Sequence, residues 1–130
     1  MSILAIDQGT SGTKAILLDD DFQVIKKGYA PLDTEHNQSG AAQTSAELLW
    51  QSVVDAINQV ITTGNHKIAA IGLANQGESI LAWDRQTGQP LTPVIIWQDS
   101  RSSALCEERK EHSQFVLSKT GLTIDPYFVA

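Results

Sequence analysis

Residues 7–14, here called the 7–14 loop, combine the residue types that bind a phosphorylated ligand. Asp7 offers a carboxylate and Lys14 a cation, while Gly9 and Gly12 allow main-chain amides to approach an anion closely. A carboxylate beside phosphate groups suits Mg²⁺, which takes one or two carboxylates and keeps part of its water shell. The predicted phosphate-binding residues are Asp7, Gly9, Thr10, Ser11, Gly12, Thr13 and Lys14, and Asp7 is also the predicted metal-associated residue.

A plain polar turn would explain the same residues, since glycine supplies positive φ angles and serine and threonine cap free amides. The 7–14 loop matches neither the GxxxxGK[ST] spacing nor the GxGxxG fingerprint of known phosphate-binding loops. Short runs of Gly, Ser and Thr often occur without a ligand. On these residues alone, both interpretations stay open.

The segments around the 7–14 loop predict strands that would hold it in place. Apolar runs over residues 2–7 and 13–18 have strand length, and residues 23–30 carry enough β-branched and aromatic residues for a third strand. Pro31 ends this third run. Three consecutive strands with short connections favour an antiparallel meander with the 7–14 loop at its first turn.

A helix and a further strand follow the meander. Apolar residues recur at helical spacing after Ser45, a typical N-cap, and Gly64 and Asn65 end the pattern as a C-cap would. Residues 67–73 then predict a buried strand parallel to the first strand. This order predicts an α/β fold with a ribonuclease H-like core, as in actin-type ATPases, in which a mixed sheet carries the meander and flanking helices.

The remaining segments have shorter patterns. Residues 33–43 are polar and small, which predicts a loop. Residues 79–83 and 94–97 predict two strands of a hairpin, because a turn-forming stretch joins them. Two helices are predicted, over residues 100–112 and over residues 113–120 with Gly121 as the cap.

Composition limits the classes of partner. The 130 residues are 42% hydrophobic and carry a formal charge of -6, which favours one globular domain and disfavours nucleic acid, whose phosphates need clustered Lys and Arg. The apolar runs are too short to span a bilayer, so we expect a cytoplasmic protein without a membrane partner. Cys106 is the only cysteine, which excludes an internal disulfide.

Four ordered blocks resemble the FGGY carbohydrate kinase family over essentially the whole chain. They are AIDQGTSGTKAILLD at residues 5–19, IAAIGLANQGES at 68–79, VIIWQDSR at 94–101 and TGLTIDPYF at 120–128. The first and last blocks are most similar to the glycerol kinases of the family, and WQDSR is nearer its sugar kinases. The resemblance implies ATP and Mg²⁺ as cofactors, with Asp7 at the magnesium-associated aspartate and Thr10, Ser11 and Thr13 at phosphate-contacting positions.

The resemblance also implies a site for a small polyol or sugar. Gln76, Gly77 and Glu78 match a glycerol kinase motif in which Arg stands where this chain has Gly77, so glycerol itself is in doubt and a larger polyol or sugar is credible. The full set of predicted substrate residues is Gln76, Gly77, Glu78, Trp97, Asp99 and Tyr127. Trp97 and Tyr127 could instead be packing residues, and Asp99 could belong to an ion pair with Arg101 or to a helix N-cap.

The resemblance places the catalytic base beyond the position of Ala130, so no catalytic residue is predicted in this chain. We therefore expect residues 1–130 to form a truncated N-terminal kinase domain, inactive by itself. Three alternatives remain on the residues. One is an actin-like nucleotide-binding regulatory module, and another is a nuclease, which would need several carboxylates around two metals. The third is a domain that folds but binds no ligand. Whether the intact protein forms homo-oligomers stays open.

Overall fold

The computed structural model of the protein describes residues 1–62, 64 and 66–128. Its elements in chain order are β1 (Ser2–Gly9), β2 (Gly12–Leu18), β3 (Val24–Pro31), β4 (Glu35–His36), β5 (Ala42–Thr44), α1 (Ala46–Ile61), β6 (Ile68–Asn75), β7 (Val94–Ile95), α2 (Ser103–Glu108), a 3₁₀ turn (Lys110–His112) and α3 (Ser113–Thr120). They form two compact units. The first unit comprises residues 1–34 and 45–76, and the second comprises residues 35–44 and those from 77 onward.

The first unit contains a four-stranded sheet in the order β3-β2-β1-β6. β1, β2 and β3 are consecutive and antiparallel, whereas β6 lies parallel to β1. The crossover between these two parallel strands contains α1. The structure thus confirms the predicted meander, the parallel strand and the mixed sheet with a flanking helix. The prediction that this parallel strand is buried is wrong, because β6 lies at an edge of the sheet and its residues after Ile68 are exposed.

Helix α1 covers one face of the meander, where alternate strand residues turn inward. The shared core consists of Leu4, Ile6, Ala15, Leu17, Ala30, Val53, Ala56 and Val60. The helix lies close to β3 at Gly28, where an added Cβ atom would lie 2.5 Å from the carbonyl oxygen of Ala56. No larger residue fits at this position without moving α1, so this contact fixes the distance between helix and sheet.

The two ends of α1 differ in how well the sequence predicted them. Ser45 is the N-cap, and its hydroxyl accepts hydrogen bonds from the amides of Glu47 and Leu48. The C-cap is Thr62, which has right-handed helical angles. Gly64 follows with a φ of 110°, and the predicted cap residue Asn65 lies outside the described residues.

The second unit corrects several predictions. Residues 33–43 were predicted to be a loop, but β4 and β5 form within this region and pair with β7 in a small antiparallel sheet. Ala42 at the start of β5 has partners that are distant in sequence. Its amide donates to the Asp99 carboxylate, and its carbonyl accepts a hydrogen bond from the Ile96 amide. A local pattern of small polar residues carries no sign of these bonds.

The predicted hairpin of residues 79–83 and 94–97 is wrong in extent. Only Val94–Ile95 form a strand, and residues 79–83 contribute isolated bridges at Ile80 and Trp83. The ladder cannot continue because the partner of Trp83 is Pro90, which has no N–H group, and the Thr92 hydroxyl accepts the Ala82 amide.

The predicted helix over residues 100–112 is also shorter in the structure. Residues 99–102 form a turn in which Asp99 accepts the Arg101 amide, so α2 begins only at Ser103 and a separate 3₁₀ turn follows it. Helix α3 ends as predicted at Gly121, which has a left-handed φ of 74°. None of the described helices combines the length and the apolar character needed to cross a bilayer.

Candidate functional site

The 7–14 loop is the hairpin that joins β1 to β2. Asp7 lies opposite Lys14 in the ladder, and Gly9 lies opposite Gly12. Opposite residues share a sheet face, and the inward positions on β1 are Leu4 and Ile6. The Asp7 and Lys14 side chains therefore project from the face that α1 leaves uncovered, where both are exposed.

Gly12 is required by the geometry of this hairpin. Its φ is 152°, and an added Cβ atom would lie 2.5 Å from the carbonyl oxygen of Ala30 and 2.6 Å from the phenol oxygen of Tyr29. A side chain here would clash with β3 and strain the backbone. The close packing behind Gly12 indicates a tightly built turn and not a loose polar connection.

Gln76 lies against the 7–14 loop, at the end of β6. Its amide donates to the Gln8 carbonyl at 2.8 Å, and its side-chain oxygen accepts from the Thr10 hydroxyl at 3.2 Å. The sequence placed Gln76 with the substrate residues, but the structure brings it together with the predicted phosphate residues. Neighbouring parallel strands end at the same edge of a sheet. The prediction that β6 is parallel to β1 could therefore have placed Gln76 near the 7–14 loop.

Thr13 faces away from Asp7 and Lys14. Its side chain is 0% exposed, and its hydroxyl lies 2.8 Å from the Ser52 hydroxyl on α1. Since Ser52 donates its own proton to the Leu49 carbonyl, Thr13 is the donor to Ser52. This arrangement gives the Thr13 hydroxyl a structural partner in the core, and strand alternation alone could have predicted it.

An open groove of about 420 Å³ begins at Asp7 and Lys14 on the uncovered sheet face. Its lining residues are Ala5, Ile6, Asp7, Lys14, Ile16, Gly72, Leu73 and Ala74. Small residues on β6 keep the groove open beside the two charged side chains. Asp7 would supply one carboxylate to Mg²⁺ here, which fits a metal held mainly by water and phosphate oxygens. Within the described ranges, no three His, Cys, Asp or Glu side chains group into a metal site.

The second unit brings two predicted aromatic residues together. The rings of Trp97 and Tyr127 meet edge to face at 5.8 Å, and Tyr127 meets Phe128 in the same way at 5.0 Å. Tyr127 is also held through its amide, which donates to the Asp125 carboxylate. Sequence reasoning missed Phe128, although its place beside Tyr127 at a turn was a usable signal. The cluster offers an aromatic surface of the kind that packs against the C–H face of a polyol.

Gly77 and Glu78 lie on an exposed stretch of the second unit. An added Cβ atom at Gly77 would meet nothing within 4 Å. Glu78 has a φ of 58°, which is costly for a residue with a side chain and is most often found at turns or functional sites. The space around residue 77 is therefore open, and Glu78 next to it in the chain is exposed.

Asp99 is a buried carboxylate with partners inside the second unit. It is 8% exposed and accepts the Ala42 amide at 2.9 Å, the Arg101 amide at 2.9 Å and the Arg101 Nε at 2.8 Å. Burial raises the pKa of Asp99, but the hydrogen bonds from Ala42 and Arg101 and the Arg101 charge outweigh it, so the pKa lies below its ordinary value. These bonds favour the structural alternative for Asp99 over substrate binding.

Comparison with known proteins extends over nearly the whole chain. The family model described as "FGGY family of carbohydrate kinases, N-terminal domain" matches residues 2–130. Glycerol kinase of Rhizobium meliloti is 39% identical over 97% of this chain, and apulose kinase of Pectobacterium atrosepticum is 39% identical over 98%. The chain spans 26% of the length of each of these two relatives.

Two solved structures have the same fold over nearly all of the chain. The ADP complex of Plasmodium falciparum glycerol kinase matches 98% of it with a TM-score of 0.92 and 27% identity. A ligand-bound xylulose kinase from Lactobacillus acidophilus matches 97% with a TM-score of 0.89 at 24% identity, which supports the fold alone. The chain covers 26% of each of these two structures.

Proposed function

Because the chain belongs to the FGGY family of carbohydrate kinases, whose N-terminal domain model it matches, we propose that the intact protein transfers a phosphoryl group from ATP to a hydroxyl of a small polyol or sugar. The observation that supports this proposal most is the 7–14 loop, where Asp7 and Lys14 lie opposite each other beside a turn closed by Gly9 and Gly12. This is a carboxylate, a cation and a tight glycine turn on one uncovered sheet face.

In this proposal the 7–14 loop holds the phosphates of ATP. Mg²⁺, when bound, would neutralise phosphate charge during transfer. Asp7 would orient the metal through its water shell, and Lys14 would add a point charge near the phosphates. Ser11 would contribute a hydroxyl donor, and Thr10 would do so by exchanging its bond to the Gln76 side chain for one to a phosphate. Gly9 and Gly12 would let main-chain amides approach. We give the Thr13 hydroxyl no phosphate contact, since it donates to Ser52 in the core.

The substrate side of the proposal rests on residues of the second unit. The Glu78 carboxylate would accept hydrogen bonds from substrate hydroxyls, while Trp97 and Tyr127 would pack on its C–H face. Gly77 offers no side chain where glycerol kinases have an arginine donor. A substrate larger than glycerol would use the open space at Gly77, in line with a sugar-phosphorylating relative such as apulose kinase.

The test is an assay of ADP release by the full-length product of the gene that encodes this chain. Glycerol, erythritol, xylulose, ribulose, apulose and gluconate are each supplied with ATP and Mg²⁺. We expect ADP release that depends on one of these acceptors, and weaker turnover of glycerol than of the preferred compound. ADP release at equal rates with and without every acceptor would contradict a kinase and favour a regulatory ATPase.

Asp7→Asn is the variant that connects this assay to the 7–14 loop. Loss of a water-mediated metal partner should lower activity about 10- to 100-fold. Asp21→Asn is the matched control, because it removes an equal charge from the exposed turn after β2. If both variants kept full activity, Asp7 would have no part in holding the metal.

A further inference from the structure

Tyr29 on β3 lies in the same row of the sheet as the two charged residues of the 7–14 loop. Lys14 stands opposite Asp7 on one side and opposite Tyr29 on the other. The three side chains therefore share the face that α1 leaves uncovered. No motif in the sequence pointed to Tyr29, because β3 is separated from the 7–14 loop by the whole of β2.

The Tyr29 phenol group is joined directly to the turn. Its O–H donates to the Ser11 carbonyl at 2.8 Å, and its oxygen lies 2.6 Å from the position that a Cβ atom on Gly12 would take. The same Ser11 carbonyl also accepts the Leu32 amide at 3.0 Å. Two donors from β3 and the residue after it thus hold one carbonyl at the tip of the hairpin.

Tyr29 is in turn held by the helix on the other side of the sheet. The Gln59 side chain of α1 accepts the Tyr29 amide at 3.0 Å and donates to the Tyr29 carbonyl at 2.9 Å. β3 is an edge strand, so Gln59 pairs with a peptide group that has no strand partner on that side. Tyr29 therefore connects the helix to the turn, with its peptide groups bonded to Gln59 and its phenol bonded to Ser11.

We propose that Tyr29 is a positioning residue for the 7–14 loop. By fixing the Ser11 peptide, it keeps the amides of Gly9, Thr10, Ser11 and Gly12 in one arrangement before a phosphate group arrives. Donors that are already oriented bind charge without paying for reorganisation at that moment. The role of Tyr29 in ligand binding rests on the proposed function, whereas its effect on the order of the turn does not.

The test is Tyr29→Phe in the 130-residue chain, which keeps the ring against Gly12 and the Gln59 pairing and removes only the donor to Ser11. Nuclear magnetic resonance order parameters report the turn, and a titration with MgATP reports affinity. We expect the order parameters of the Ser11 and Gly12 amides to fall toward the flexible range, below about 0.6. Loss of one neutral hydrogen bond should weaken MgATP binding by about threefold to tenfold.

Thr62→Val is the matched control, since it also removes a hydroxyl that donates to a main-chain carbonyl, that of Asn58, at the far end of α1. It should leave both readouts unchanged. Unchanged order parameters in Tyr29→Phe would overturn the proposal. So would a mobile turn that binds MgATP with wild-type affinity. Failure of the wild-type chain to bind MgATP would instead count against the proposed phosphate site, and the order parameters alone would then decide whether Tyr29 positions the turn.

Discussion

The two units hold their candidate residues by different means. In the first unit, Asp7 and Lys14 stand on paired strands whose other face is packed against α1. In the second unit, Glu78, Trp97 and Tyr127 lie on segments with few strand or helix bonds, fixed by side-chain contacts such as those of Asp99 and Ser79. Apolar burial therefore dominates the stability of one unit, and specific polar bonds contribute more to the order of the other.

This difference predicts which substitutions matter in each unit. A core deletion should be most costly in the sheet of the first unit, and loss of one carboxylate should disturb the second unit most. Local openings of the two units can be separated by amide hydrogen exchange, because each unit contributes its own amides.

Leu17→Ala should give the largest loss of stability. Leu17 is 0% exposed in the core beneath α1, and deleting such a side chain costs about 2–5 kcal/mol. Leu73→Ala on the same sheet is the matched control, because Leu73 is 67% exposed and should cost no more than about 0.5 kcal/mol. Urea denaturation measures both. Equal losses would show that the core of the first unit is not where the structure places it.

Asp99→Asn should lower the free energy of unfolding by about 1–3 kcal/mol, since the buried amide of Ala42 and the Arg101 guanidinium lose a charged acceptor. Amide exchange should quicken in β5 and residues 96–101 and stay unchanged in β1 and β2. Asp84→Asn is the control, because that carboxylate accepts its bonds from Gln86 and Thr87 within one local turn. An equal loss of unfolding free energy in Asp84→Asn would contradict the prediction that Asp99 contributes more to stability than a carboxylate bonded within a local turn.

The stability that Asp99 contributes should depend on pH. Its folded pKa lies below its ordinary value, so the unfolded chain binds the proton more readily and stability falls as the pH falls. The contribution is complete above the unfolded pKa of about 4 and is lost as the pH drops through the lower folded pKa. The difference in unfolding free energy between wild type and Asp99→Asn, measured in urea, should therefore shrink from pH 6 toward pH 3. A constant difference across that range would contradict the assignment.

Thr13→Val should have the smallest effect, about 1 kcal/mol of stability, because only the bond to Ser52 is lost. Its MgATP affinity should equal that of the wild type, since the hydroxyl lies in the core. Thr10→Val is the same substitution at an accessible loop position and should weaken MgATP binding by a few fold. If Thr13→Val weakened binding as much as Thr10→Val, the resemblance-based role of Thr13 would be correct after all.

Sequence patterns predicted the first unit well because period and capping are local signals. The meander, the Ser45 cap and the parallel β6 all followed from them, and the structure confirms each. The errors lie where a distant partner decides the structure. Asp99 holds Ala42 across 57 positions, and Pro90 ends the bridge at Trp83.

The residues of the candidate site also divide into those that local sequence signals reveal and those that depend on distant partners. The 7–14 loop could be named from its residue types and the aromatic pair from the family resemblance, although their roles remain proposals. The resemblance assigned the Thr13 hydroxyl to the phosphates, whereas alternation along β2 places this side chain in the core. The bonds of Tyr29 and Gln76 to the loop depend on register between strands, which composition and spacing do not reveal.

The central claim is that the 7–14 loop binds the phosphates of ATP, and an amide chemical-shift titration of the 130-residue chain tests it most directly. With millimolar MgATP, we expect the largest shifts at Gly9, Thr10, Ser11, Gly12 and Lys14, with a strong reduction in Asp7→Asn and none with adenosine alone. Shifts that cluster away from these residues, or that adenosine reproduces, would contradict the claim.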